Sequence, residues 1–196
     1  MFNTSLLKPL ALLLLATASL PAQAAWYLDN ESSRLSFVTT KNTDVSEVQR
    51  FLVLHGKVDE KGAAQLEVEL EPINSGIPLR DERMRNDLFQ IKTHPDAQIN
   101  AQINLQPIND LATGAQLELR LPLSVTLHGK TQTYNAELLA TRLDDRRFQV
   151  VTLEPVVLHA ADFDLAPGVA MLRKAAGLAS ISLSVPVGAV LIFTAR

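Results

Sequence analysis

From residue 34 onward the chain alternates apolar and polar side chains with a period of two, the mark of strands that turn one face to a core and one to water. The plainest case is 116–128, where Leu117, Leu119, Leu121, Leu123, Val125 and Leu127 alternate with Glu118, Arg120, Pro122, Ser124, Thr126 and His128. Over 65–71, Leu66, Val68 and Leu70 face one way and Glu67, Glu69 and Glu71 the other. Ile99, Ala101, Ile103 and Leu105 interleave with asparagine and glutamine, and Ile181, Leu183, Val185 and Val187 with Ser182, Ser184 and Pro186. Further strands are predicted over 35–39, 50–58, 134–143 and 147–158, with turns at 59–62, 113–114 and 143–146. Strands of about 8 to 12 residues extend roughly 25 to 40 Å, long for a sandwich and suited to a deep barrel. The expected fold is all-β, a single antiparallel up-and-down barrel of about eight strands.

Two segments break this rhythm. Residues 78–89 predict a helix in which Asp81 and Arg85 stand four apart and Met84 and Leu88 share a face. Residues 167–176 predict a second short helix, with Pro167 at its start, Val169, Leu172 and Ala176 on one side, and Arg173 and Lys174 before Gly177. Both are expected to cover a barrel end.

The first residues follow a different logic. Lys8 is their only charge, residues 10–15 are an apolar run too short for an anchored span, and Ala22, Gln23 and Ala24 give an A-x-A cleavage pattern. Residues 1–24 therefore read as a cleaved signal peptide, 25–196 as one domain, and the periplasm as the expected location. With no cysteine, that domain must be stable without disulfides, and it has no thiol for a nucleophile or a lipid anchor. Removing Lys8 takes the net charge from −3 to −4, which argues against nucleic acid and against a general attraction to anionic lipid. A membrane-spanning barrel would also alternate, but it carries aromatic girdles, and the few aromatics here are scattered. No stable membrane insertion is expected.

No G-x-S-x-G elbow, glycine-rich phosphate loop or H-E-x-x-H pair occurs. The 54–57 segment, Leu-His-Gly-Lys, is repeated at 127–130, and His94 and His159 complete the histidines. His55 and His128 fit strand ends beside turn glycines; the rival is a hydrolase or metal-dependent enzyme built on His55, His128 or His159. The run Arg80, Asp81, Glu82, Arg83, Arg85 and Asp87 could clamp a phosphate or form a solvated, internally paired helix. A third class is a cargo-free interaction protein whose barrel is filled by its own side chains.

The order of motifs resembles the YceI-like family of periplasmic, lipocalin-like barrels. The match begins at Trp26-Tyr27-Leu28-Asp29 with Ser33, Leu35 and Phe37, then Phe51 through Gly56 and Ala64 through Leu70. Its most specific part is Ser75-Gly76-Ile77, then Arg80-Asp81-Glu82-Arg83-Met84, Leu88-Phe89, Pro95 and Ala97; Leu127-His128-Gly129 and Asp162-Phe163 continue it. Around Asp162-Phe163 this chain has Ala160, Ala161 and Asp164 where many relatives carry an arginine and a glycine. The resemblance implies an eight-stranded lipocalin-like barrel with one or two short capping helices, whose lumen takes an isoprenoid-type lipid or another apolar small molecule. It implies no catalytic residue, metal or cofactor, and leaves a homodimer open. Under it, Leu35, Phe37, Phe51, Leu66, Val68, Leu117, Leu119, Leu121, Leu123 and Phe163 would line the lumen, with Met84, Leu88 and Phe89 near its mouth.

The cleavage pattern generates a direct expectation: intact mass of protein recovered from the periplasm starts at Ala25. Recovery of the full chain in the inner membrane would contradict it.

Overall fold

The computed structural model describes residues 25–196, so the expected leader lies outside the described residues. Eight staves, each antiparallel to the next, close into a barrel. The first is β1 (Trp26–Leu28) with β2 (Arg34–Lys41), the second β3 (Val45–Phe51) with β4 (Leu54–Val58), and the third β5 (Ala63–Glu69) with the short β6 (Ile73–Asn74). Three unbroken strands follow, β7 (Asp96–Gln102), β8 (Gln116–Leu127) and β9 (Lys130–Arg142). The seventh stave is β10 (Arg147–Thr152) with β11 (Val156–His159), and the last is β12 (Ser184–Ala195). β12 closes the ring by pairing with β10 and β11 on one side and with β1 and β2 on the other.

Breaks in a stave leave backbone groups of the neighbouring strand without a ladder partner, and polar side chains take over. Between β1 and β2 the chain turns away from β12, and Ile192 N–H donates instead to the buried Ser33 Oγ at 3.0 Å while its carbonyl accepts from Asp29 N–H. Asn30 Oδ1, in the same turn, accepts from Leu54 N–H at 2.7 Å where β4 begins. Opposite the break between β10 and β11, Ala189 N–H donates to Thr152 Oγ1 at 3.1 Å. Each bond satisfies a donor that would otherwise be sealed in the wall.

One seam is left open. The β7–β8 ladder ends at Asn100↔Ser124, two residues short of Pro122, which has no N–H to give. The chain after β7 folds back there as α2 (Gln106–Asn109), burying Leu105 and Ile108 and receiving Arg142 Nη1 on the Asn109 and Leu111 carbonyls.

Helices cover the opposite end. α1 (Pro78–Arg83) runs into a π-helical turn over Met84–Phe89, whose wider i→i+5 spacing lets Met84, Leu88 and Phe89 all be buried. After a 3₁₀ turn (Ala160–Phe163), α3 (Ala166–Ala175) crosses that π turn. They meet at Gly168, where a Cβ would stand 2.9 Å from both the Asp87 carbonyl oxygen and Leu88 Cα, so only glycine allows this approach.

Both predicted helices are present, and the barrel is the expected one. The differences lie in strand continuity. The 50–58 and 147–158 strands are each split; the final strand starts at Ser184 and runs to Ala195, leaving Leu183 exposed and Ile181 with a single bridge to Lys41. The Asp81–Arg85 pair does not form: Asp81 is buried and accepts from Ser75 N–H at 2.9 Å.

Ser33→Ala is expected to lower stability by about 1 to 3 kcal/mol, because it strands the Ile192 N–H in the closing strand. Urea denaturation of the variant measures this directly, and a loss near zero would show that the patch is dispensable.

Candidate functional site

The barrel interior is not filled by its own side chains. A cavity of about 630 Å³ runs along it, within the roughly 300 to 1,000 Å³ common for small-molecule sites. Its floor is made by Leu105, Ile108, Phe193 and Trp26, the indole standing edge-on to Phe148 with ring centres 4.8 Å apart. Leu66, Val68, Leu121, Leu123 and Val125 come from the walls. Towards the helical end, Phe37 stacks on Phe51 at 5.1 Å, and Phe51 meets Phe89 at 6.1 Å. Met84 and Leu88 of the π turn, with Val169 and Leu172 of α3, form the roof.

The inward face of the β2–β3 hairpin changes character as it leaves the lumen. Along β2, Leu35 and Phe37 are followed at the same spacing by Thr39 and Lys41; along β3, Phe51 is preceded by Gln49 and then Glu47. Thr39, Lys41 and Gln49 line the cavity, joined there by Arg80 and Arg83 of α1. Lys41 Nζ donates to Glu47 at 2.7 Å and Arg80 donates to the same carboxylate. The Lys41 bond, reinforced by Arg80, holds the Glu47 carboxyl below the ordinary carboxylate range against the opposing effect of partial burial. Gln49 is buried; its Nε2 donates to Thr39 Oγ1 at 2.9 Å, and its Oε1 has no partner among the described residues. The site is thus an apolar shaft under a polar, cationic collar. It can shelter a hydrocarbon chain and meet a polar end group at the top.

Eleven of the thirteen sequence-predicted residues line this cavity: Leu35, Phe37, Phe51, Leu66, Val68, Met84, Leu88, Phe89, Leu121, Leu123 and Phe163. Leu117 and Leu119 do not. They are half-buried on the stretch of β8 before Pro122, where β7 no longer pairs with it. Trp26, Lys41, Gln49, Phe148 and Phe193 belong to the site although the sequence reading did not nominate them.

The histidines are dispersed over structural tasks. His55 Nε2 lies 2.8 Å from Glu69 on the exposed outer face of neighbouring strands. His128, at the β8–β9 turn with φ of 51°, bonds the Phe163 carbonyl oxygen through Nδ1 at 3.1 Å and packs against His94, ring centres 4.5 Å apart. His159 Nδ1 is 3.3 Å from Ser184 Oγ in a cross-strand pair. Among the described residues no three histidine or carboxylate side chains converge as metal ligands.

Comparisons with known proteins agree with this geometry. No curated protein matches the sequence. Among solved structures, a polyisoprenoid binding domain from Saccharophagus degradans, implicated in plant cell wall breakdown, is similar at 36% identity and a TM-score of 0.86, over 88% of this chain and 99% of that one. BcnA of Burkholderia cenocepacia shares the fold at 17% identity and a TM-score of 0.64, over 84% and 98% of the two chains. The YCEI protein of Campylobacter jejuni does so at 10% and 0.54, over 76% and 84%. The family description "YceI-like domain" matches residues 26–192, which is nearly the whole described barrel, and the chain belongs to the YceI-like family.

Proposed function

We propose that this protein is a non-enzymatic periplasmic carrier that holds an amphiphilic isoprenoid-type lipid, polyprenyl or quinone-like, in its barrel. One observation carries the reading: an apolar cavity of about 630 Å³ whose only charged lining residues among the described ones, Lys41, Arg80 and Arg83, all stand at one end. Such a lumen takes a uniformly polar molecule poorly, because below the collar its lining offers few donors or acceptors to replace lost water. A chain of methyl-branched hydrocarbon suits it, gaining about 25 cal/mol for each Å² removed from water, less the cost of ordering the chain. The S. degradans relative, described as polyisoprenoid binding, supports this class of cargo.

The location rests on the leader pattern in residues 1–24. The absence of chemistry rests on the separation of the histidines: each is engaged with a strand or turn neighbour, and none is aimed into the shaft beside a nucleophile.

Organic extraction of protein purified from its own periplasm, followed by mass spectrometry, is expected to release an isoprenoid lipid. Leu121→Trp then tests the lumen. The buried Leu121 side chain lines the cavity, so the indole should displace cargo while the ligand-free melting midpoint stays level or rises as void is filled. A loss of about 1 to 3 kcal/mol with undiminished lipid would mean that the substitution overpacks a filled core, and would overturn the assignment.

A further inference from the structure

The collar does something that holding a cargo does not require. Gly76, Ile77, Pro78 and Leu79 are four consecutive exposed residues, and Ile77 and Leu79 keep 50% and 56% of their surface in water. An exposed apolar run of this kind is costly unless something covers it. Ile77 and Leu79 also line the cavity, so the greasy tip and the opening are one structure. Val45 adds a third exposed apolar side chain opposite Lys41, at the end of the hairpin that Arg80 ties to α1 through Glu47.

Charge around the opening runs against the charge of the chain. The protein is net −3, yet every charged residue lining the cavity, among the described residues, is a cation. Lys41 and Arg80 share the single carboxylate Glu47, and Arg83, which reaches only the Ala175 carbonyl oxygen, has no carboxylate partner among the described residues. Arg173 and Lys174, exposed in the last turn of α3, directly precede Ala175. The acids on this side include Asp44, Glu82 and Asp87, which are exposed, Glu47, which is already shared, and Asp81, which is buried against Ser75 N–H.

An apolar tip set among cations is how peripheral proteins sit in an anionic bilayer surface, with side chains at the acyl boundary and cations among the phosphates. We infer that the mouth docks on an anionic phospholipid membrane with Ile77, Pro78 and Leu79 inserted. Cargo then passes between bilayer and lumen without crossing water; that last step rests on the carrier reading, whereas docking does not.

Vesicle flotation of the mature protein tests it. Binding to phosphatidylethanolamine–phosphatidylglycerol vesicles is expected to exceed binding to phosphatidylcholine vesicles, and to fall as salt rises from about 50 to about 500 mM. The double substitution Ile77→Asp with Leu79→Asp should cut bound protein roughly tenfold or more, and Arg83→Glu about fivefold or more. Leu153→Asp, an exposed apolar residue at the β10–β11 bend, should change nothing. Wild-type protein that does not float, or flotation untouched by the double substitution, overturns docking. So does a dimer, seen by sedimentation, that the double substitution splits without any vesicle binding, since a second copy would then be what covers the tip. Uptake of a polyprenol from detergent micelles separates the two readings: a double variant that loads from micelles but not from vesicles supports docking. Wild-type protein that floats but loads from neither keeps docking and sinks the carrier reading instead.

Discussion

Closure of the hydrogen-bonded ring at β12 is the constraint on which the rest of this molecule depends. A barrel has no free edge only if its last strand finds partners on both sides, and here that strand meets two half-staves on each flank. The half-staves allow the wall to bend, but every bend removes a ladder partner from β12 or its neighbours. Ser33, Asn30 and Thr152 supply acceptors at those points. The polar side chains at these bends, and not only the apolar ones facing the lumen, therefore sustain the wall around it.

Within that wall the same alternation that makes strands also makes the site. Inward positions are apolar along most of the barrel, Thr152 on β10 being an exception, and they turn charged where β2 and α1 rise to the mouth. The π turn and α3 seal one side of the top through the backbone contact at Gly168, and the opening is displaced towards α1 and the hairpin. A greasy interior and a cationic rim are thus two ends of one strand pattern rather than separate inventions.

This division explains what could be read from the chain alone. Period-two alternation marks strands and inward faces, so Leu66, Val68, Leu121 and Leu123 were legible, as were both helical segments, 78–89 from the Met84 and Leu88 spacing and 167–176 from Pro167 and its apolar side. The break at Leu52 and Val53 was not, because apolar residues continue through it and the bond that stabilises it comes from Asn30. The C-terminal half of β12 was obscured because Val190, Leu191, Ile192 and Phe193 form an unbroken apolar run; Ile192 is buried although Leu191 and Phe193 already face the cavity. Leu117 and Leu119 satisfy the pattern yet miss the cavity, since alternation specifies a face and not how far the void extends along it. Lys41 and Gln49 were hidden for the opposite reason: a polar residue on an inward position looks like a strand end until the neighbouring elements show it at a mouth.

The pairing of β12 with β1 and β2 has a kinetic meaning. Trp26 pairs with Ala195, joining residues from opposite ends of the described chain. Hairpins such as β8–β9 can assemble from local contacts, but β1, β2, β10 and β11 stay open edges until the final strand docks. Such long-range pairing carries a large loop-closure entropy before it is rewarded, which slows acquisition of the closed barrel. During that interval the future interior is a curved apolar sheet open to water, and the time it spends so is set by the arrival of one strand.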